Sequence, residues 1–144
     1  MMRPIIIGIS LIFLFACNSN RNIDIETEIS KSYDMIENLQ FQKAYDRLSY
    51  LLKTAPKNSR ALNCRGVAAL RMGDFKKALI DLNRAFSIDS TDVDINLNMG
   101  VYYGTTGNIK ETIKFYNKAI AIDSLCIKAF SNLGVLCTNS GKLQ

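Results

Sequence analysis

Six of the eight glycines in this chain of 144 residues fall into two series with a constant step of 34 residues. One series is Gly66, Gly100 and Gly134, and the other is Gly73, Gly107 and Gly141. A glycine that returns at a fixed offset marks a backbone position, met once per structural unit, at which other residues do not fit. A period of this length indicates stacked repeats rather than a globular enzyme domain.

The composition narrows the function classes further. Hydrophobic residues make up 48% of the chain and charged residues 22%, which is typical of an ordered protein. The net charge of +5 comes from interleaved acids and bases without a basic run, so the sequence does not predict nucleic-acid binding. Histidine is absent, and the four cysteines form no C-x-x-C pair, so we expect no catalytic residue, no metal site and no cofactor.

Each 34-residue window carries the pattern of two helices. The windows begin at Ile25, Ser59, Val93 and Ile127, and apolar residues recur within them at three- and four-residue spacing. The glycine at position 15 of a window is expected to close the first helix in a left-handed conformation, and Asp74 or Asn108 after it to cap the second. Small residues at positions 8 and 20 would let the two helices approach closely.

These offsets resemble the tetratricopeptide repeat, a helix–turn–helix unit of 34 residues. The resemblance is carried by the small residues at positions 8, 20 and 27 and by the aromatic or aliphatic residues at positions 17 and 24. It implies an all-α fold, a right-handed superhelical solenoid of about three and a half hairpins. The corresponding repeats are residues 25–58, 59–92, 93–126 and a partial repeat 127–144, which together make one domain at 25–144.

The fourth window stops early and predicts only a first helix, at about 127–140. This helix is either the solvating cap that a solenoid needs or part of a longer array. Phe130, Leu133, Val135 and Leu136 keep it apolar. We therefore expect it to expose an apolar surface for a partner or for a homodimer.

The N-terminal segment resembles a bacterial lipoprotein signal. Arg3 precedes an apolar run from Ile5 to Phe15, which has the length of a signal-peptide core. Leu14-Phe15-Ala16-Cys17 resembles the lipobox, which implies a signal peptide at 1–16, a lipidated Cys17 and a polar tether at 17–24. Asn18 after the cysteine favours the outer membrane, facing the periplasm. The alternative is a secretory signal or anchor in which Cys17 is incidental.

The resemblance also implies a concave groove lined by the first helices. The residues predicted to line it are Arg60, Asn63, Arg71, Asn98, Val101, Lys128, Asn132 and Val135. Asn98 and Asn132 are the sharpest candidates, because a carboxamide can donate to and accept from a peptide backbone of any sequence. The alternative is that these asparagines cap helices locally or face solvent.

Together these features predict a non-catalytic, membrane-tethered scaffold in the bacterial cell envelope. It would bind a partner peptide or helix in its groove, and the membrane through its N-terminal lipid. The alternative is a permanent structural subunit of an outer-membrane assembly, secretion or pilus machine.

Overall fold

The computed structural model describes residues 24–141, with side chains described as far as Thr138. The predicted signal peptide and Cys17 lie outside the described residues. Seven α-helices follow one another in this range. They are α1 Ile25–Glu37, α2 Phe41–Thr54, α3 Ser59–Arg71, α4 Phe75–Ile88, α5 Val93–Thr105, α6 Ile109–Ile122 and α7 Ile127–Gly141. The all-α architecture is confirmed, and the odd-numbered helices begin at the first residues of the four windows.

The turns inside the hairpins use the chemistry that the glycines predict. Gly73 and Gly107 adopt positive φ angles of 79° and 81°. The N–H of Asp74 donates to the carbonyl of Ala69 across the end of α3, as in a Schellman turn. The Asp74 carboxylate then accepts from the N–H of Lys77, so one residue closes α3 and caps α4.

The turn between α1 and α2 reaches the same conformation without glycine. Leu39 stands at position 15 of the first window, and its φ is +60°. The N–H of Gln40 donates to the carbonyl of Met35, which is the same bond that closes the other turns. The repeat geometry therefore imposes a left-handed backbone conformation on Leu39, and this conformation is strained for a residue with a side chain.

The glycines at position 8 bring the two helices of a hairpin together. A Cβ atom on Gly66 would lie 2.9 Å from Cγ of Leu82 on α4, and one on Gly100 would lie 2.5 Å from the ring of Tyr116 on α6. Neither distance is open to a Cβ atom unless the facing side chain or its helix shifts. The small residues at position 20, Ala78 and Thr112, are buried; the carbonyl of Ala78 lies beside Gly66, and the side chain of Thr112 lies beside Gly104. The close approach predicted from the sequence is confirmed for both middle hairpins.

Three hydrophobic clusters follow one another along the stack. The first contains residues from each of the helices α1 through α5, such as Leu48 and Leu62. The second contains residues from α3 through α6, such as Leu82 and Phe115. The third fastens α7 to α5 and α6 through Cys126 and Ala129, among others. Each cluster shares helices with the next, which is the pattern of a solenoid.

Two further features concern the described part of the chain. None of its helices has the length and apolar character needed to cross a membrane. The cysteines at 64, 126 and 137 are free thiols; the first two are buried and Cys137 is exposed.

Candidate functional site

The predicted groove residues occupy α3, α5 and α7, and they differ in exposure. Asn63 is interior, with 2% of its surface exposed. Asn98, Val101 and Asn132 are half-buried. The exposed members of the set are Arg60, Arg71, Lys128 and Val135.

A chain of hydrogen bonds links three successive first helices. Nδ2 of Asn63 on α3 donates to the hydroxyl of Tyr33 on α1 over 3.2 Å. Nδ2 of Asn98 on α5 donates to Oδ1 of Asn63 over 3.1 Å. Because Asn63 is interior, its part is to hold Asn98 rather than to meet a partner directly.

This chain of bonds sets the orientation of the Asn98 carboxamide. Burial raises the pKa of Tyr33 above its ordinary value, so its hydroxyl keeps its proton throughout the physiological range. Asn63 turns its nitrogen to Tyr33 and its oxygen to Asn98. Asn98 donates one N–H of its amide to Asn63. A carboxamide also has a second N–H and an acceptor oxygen, which can bind a ligand. The Asn98 amide is therefore half-buried, fixed in orientation and still able to make further hydrogen bonds.

A pocket of about 310 Å³ opens between α5, α6 and α7. Three predicted groove residues, Val101, Asn132 and Val135, line it together. The remaining lining residues are Gly104, Thr105, Thr112, Tyr116 and Leu136. The pocket thus has aliphatic walls with an amide and hydroxyl groups at its edge.

One residue explains where this pocket forms. Gly104 stands at position 12 of its window, where the preceding window has the buried Leu70, so the absent side chain leaves space. The walls beside this space include Asn132 of α7 and Tyr116 of α6, and burial raises the pKa of Tyr116.

Charges of alternating sign follow the edge of the predicted groove. Position 2 of the four windows carries Glu26, Arg60, Asp94 and Lys128 in turn. Arg60 forms an ion pair with Glu26 across one repeat, and both side chains are exposed. An edge that alternates in this way does not select a strongly acidic or a strongly basic partner.

A buried ion pair was not predicted from the sequence. Nε and Nη2 of Arg65 on α3 each lie 2.7 Å from a carboxylate oxygen of Asp81 on α4, and Nη1 contacts Ser49 on α2. The Asp81 side chain is 3% exposed and that of Arg65 16%. The bond to Asp81 raises the pKa of Arg65. Arg65 stands at position 7 of its window, where the repeat family usually has leucine. This charged residue was the signal in the sequence that could have indicated the pair.

The described residues offer no obvious metal site. No group of three or more cysteine, aspartate or glutamate side chains comes together between residues 24 and 141 in an arrangement that could hold a metal ion.

Comparisons with known proteins identify the repeat type. Tetratricopeptide repeat family models match residues 59–92 and 93–124. Human tetratricopeptide repeat protein 6 is 33% identical over 90 residues, which are 62% of this chain but 17% of that protein. The chain therefore spans less than a fifth of the length of this relative.

Solved structures show the same fold. The tetratricopeptide repeat domain of Sgt2 from Aspergillus fumigatus aligns with a TM-score of 0.73 and 19% identity, over 84% of this chain and 82% of that one. The first such domain of Spaghetti (RPAP3), solved with the HSP90 peptide SRMEEVD, aligns with a TM-score of 0.71 and 16% identity, over 81% and 93%. The repeat type predicted from the sequence is confirmed for the two middle windows.

Proposed function

Because residues 59–124 are tetratricopeptide repeats, we propose that this chain is a non-catalytic scaffold that binds a partner peptide or helix in its groove. In this proposal the scaffold is a lipoprotein of the bacterial cell envelope, tethered by Cys17 to the outer membrane and facing the periplasm. Its partners are a protein ligand in the groove and a second copy of the chain at the C-terminal helix.

The pocket between α5 and α7 is the observation that carries the groove proposal. It collects Val101, Asn132 and Val135, and Asn98 lies one helical turn before Val101 on the same helix. Aliphatic walls suit an apolar side chain of the ligand, while the two amides suit its backbone. A domain of the same fold, the first tetratricopeptide repeat domain of Spaghetti (RPAP3), was solved with a bound peptide, which supports a peptide as the ligand.

The groove can be tested by site-specific crosslinking in intact cells. A photoreactive amino acid at Val101 should capture a protein partner, whereas one at Ile80, an exposed residue of α4, should not. Replacing Asn98 and Asn132 with alanine should remove the Val101 crosslink while circular dichroism stays helical. The matched control replaces Asn83 and Asn117, exposed asparagines on α4 and α6, and should leave the crosslink unchanged. Capture that survives the first pair of changes would exclude these amides from the site.

The lipid anchor rests on the sequence alone. A radiolabelled fatty acid should enter the protein, and Cys17→Ala should abolish both this label and fractionation with outer membranes. Cys137→Ala is the matched control and should change neither. If the Cys17 variant still fractionates with membranes and the natural chain takes up no label, the lipoprotein part of the proposal is wrong.

The alternative function is a permanent subunit of an outer-membrane assembly, secretion or pilus machine. It is supported by apolar side chains exposed on the second helices, such as Tyr50, Ile80 and Ile113. A permanent subunit would bury this surface as well as the groove. Equally strong crosslinks from Ile80 and Val101, together with a stoichiometric complex on isolation, would favour this alternative over reversible peptide binding.

A further inference from the structure

One face of α7 is apolar and has no helix packed against it among the described residues. Ile127 is 78% exposed and Phe130 52% exposed, and Cys137 is also exposed. Gly134 lies between them on the same face, and a Cβ atom added to it would meet nothing within 4 Å. We call Ile127, Phe130, Gly134 and Cys137 the α7 seam.

The two preceding hairpins show what this kind of face receives. Gly66 and Gly100 stand at the same repeat position as Gly134, and each is covered by a large side chain, Leu82 or Tyr116, of an antiparallel helix. In each contact the large side chain, which we call the knob, lies directly over the glycine. The α7 seam has the glycine but no such knob among the described residues, so it is shaped for an antiparallel helix that carries a large side chain opposite Gly134.

The α7 helix of a second copy meets this requirement, because its own α7 seam carries both a large side chain and a glycine. Its residues are spaced three, four and three apart, which is the a/d spacing of helices that pack knobs into holes. When two copies run antiparallel, Phe130 of each lies opposite Gly134 of the other, and Ile127 lies opposite Cys137. Both pairs place a large residue against a small one, and both occur twice about one two-fold axis. We infer that the chain forms an antiparallel homodimer through the α7 seam, centred near Asn132.

The antiparallel direction follows from size and charge. A parallel pair would set Phe130 against Phe130 and Gly134 against Gly134, which leaves a clash and a gap. It would also bring the two Lys128 ammonium groups together. In the antiparallel pair the Lys128 positions are about 12 Å apart along the axis, from the rise per residue of a helix.

This interface is small, because each copy contributes one helix face. We therefore expect a weak dimer that forms at high protein concentration or when a membrane tether concentrates the chains. The inference makes the homodimer part of the proposed function specific, but it does not depend on peptide binding. Loss of the groove crosslink and loss of the dimer are separate results from separate variants.

Disulfide trapping tests the register. In a Cys17→Ser background, Ile127→Cys should form a covalent dimer on mild oxidation, because position 127 faces Cys137 of the other copy. The parent should not, because the two Cys137 residues are about 15 Å apart along the axis, too far for a disulfide. Asn117→Cys on the exposed side of α6 is the matched control. The inference is overturned if Ile127→Cys gives no more dimer than this control, or if Ile127→Cys still crosslinks after Cys137→Ser, which indicates parallel helices.

A size exchange tests the knob and the glycine. Gly134→Phe should abolish the dimer in sedimentation experiments at high protein concentration, and so should Phe130→Gly. The double variant should recover at least half of the association of the natural chain, because it moves the knob and the hole to each other's positions. Circular dichroism shows whether each variant keeps its helices. A double variant that stays monomeric while folded, or a natural chain that stays monomeric at high concentration, would refute the inference.

Discussion

At the scale of single residues, the three glycines at position 8 are required to different degrees. A Cβ on Gly100 would meet the ring of Tyr116 at 2.5 Å, and one on Gly66 would meet the flexible side chain of Leu82 at 2.9 Å. A Cβ on Gly134 would meet nothing within 4 Å among the described residues. Glycine at this repeat position therefore avoids a clash in the two middle hairpins, but it avoids none in the described part of α7.

Alanine at each of these positions should separate the three cases. We expect Gly100→Ala to lower the free energy of unfolding by about 1–3 kcal/mol through overpacking, and Gly66→Ala by less. Gly134→Ala should raise it by up to about 1 kcal/mol, because alanine is the better helix former. Urea unfolding of dilute protein followed by circular dichroism measures all three. A loss of stability in Gly134→Ala similar to that in Gly100→Ala would contradict the open space beside α7.

The buried pair of Arg65 and Asp81 makes a second prediction at this scale. Asp81→Ala leaves the guanidinium of Arg65 with no carboxylate partner in a site where its side chain is 16% exposed. We expect a loss of about 3–5 kcal/mol in the free energy of unfolding. Adding Arg65→Leu should recover most of this loss, because an apolar pair needs no partner. Thermal and urea unfolding of the single and double variants checks this, and equal losses in both would show that charge is not the cause.

At the scale of the helices and turns, the turn after α1 contains strain that the other two hairpins lack. Leu39 is 75% exposed, so its side chain contributes little packing, yet its backbone is left-handed. Leu39→Gly should raise the free energy of unfolding by about 0.5–1 kcal/mol, because glycine adopts this conformation without strain. Leu39→Ala is the matched control and should bring no gain. If alanine stabilises as much as glycine, exposure of the leucine side chain and not its backbone is the source of the effect.

The elements also show how far sequence reasoning reaches. Helix starts, glycine turns and the caps at Asp74 and Asn108 were predictable because each depends on residues within one turn of one another. The left-handed Leu39 was not, because the conformation is imposed by the repeat and not by the residue. The interior position of Asn63 was also missed, since its partners Tyr33 and Asn98 lie 30 and 35 residues away and meet it only when the hairpins stack.

At the scale of the whole molecule, stability in a stack of hairpins is a sum of local contacts. The first helix is joined to the rest partly by charge: Nε of Arg47 on α2 lies 2.5 Å from Oε2 of Glu28 on α1, and Arg60 on α3 pairs with Glu26. The hydrogen bond from Arg47 lowers the pKa of Glu28 below its ordinary value. Acid should therefore loosen one end of the molecule before the middle.

The sign of the pH effect follows from the direction of this shift. A carboxyl group whose pKa is lowered in the folded state adds stability above its unfolded pKa, and this stability is lost as the pH falls through the folded pKa. We expect backbone hydrogen exchange in α1, corrected for the intrinsic rate, to be slower in the natural chain than in Glu28→Gln at neutral pH. The two should converge as the pH falls through the lowered pKa of folded Glu28, where its carboxyl becomes protonated. Exchange in α6, two hairpins away, should be the same in both chains at every pH. A difference in α1 that persists unchanged after the Glu28 carboxyl is protonated, or one that spreads equally to α6, would contradict the local origin of this stability.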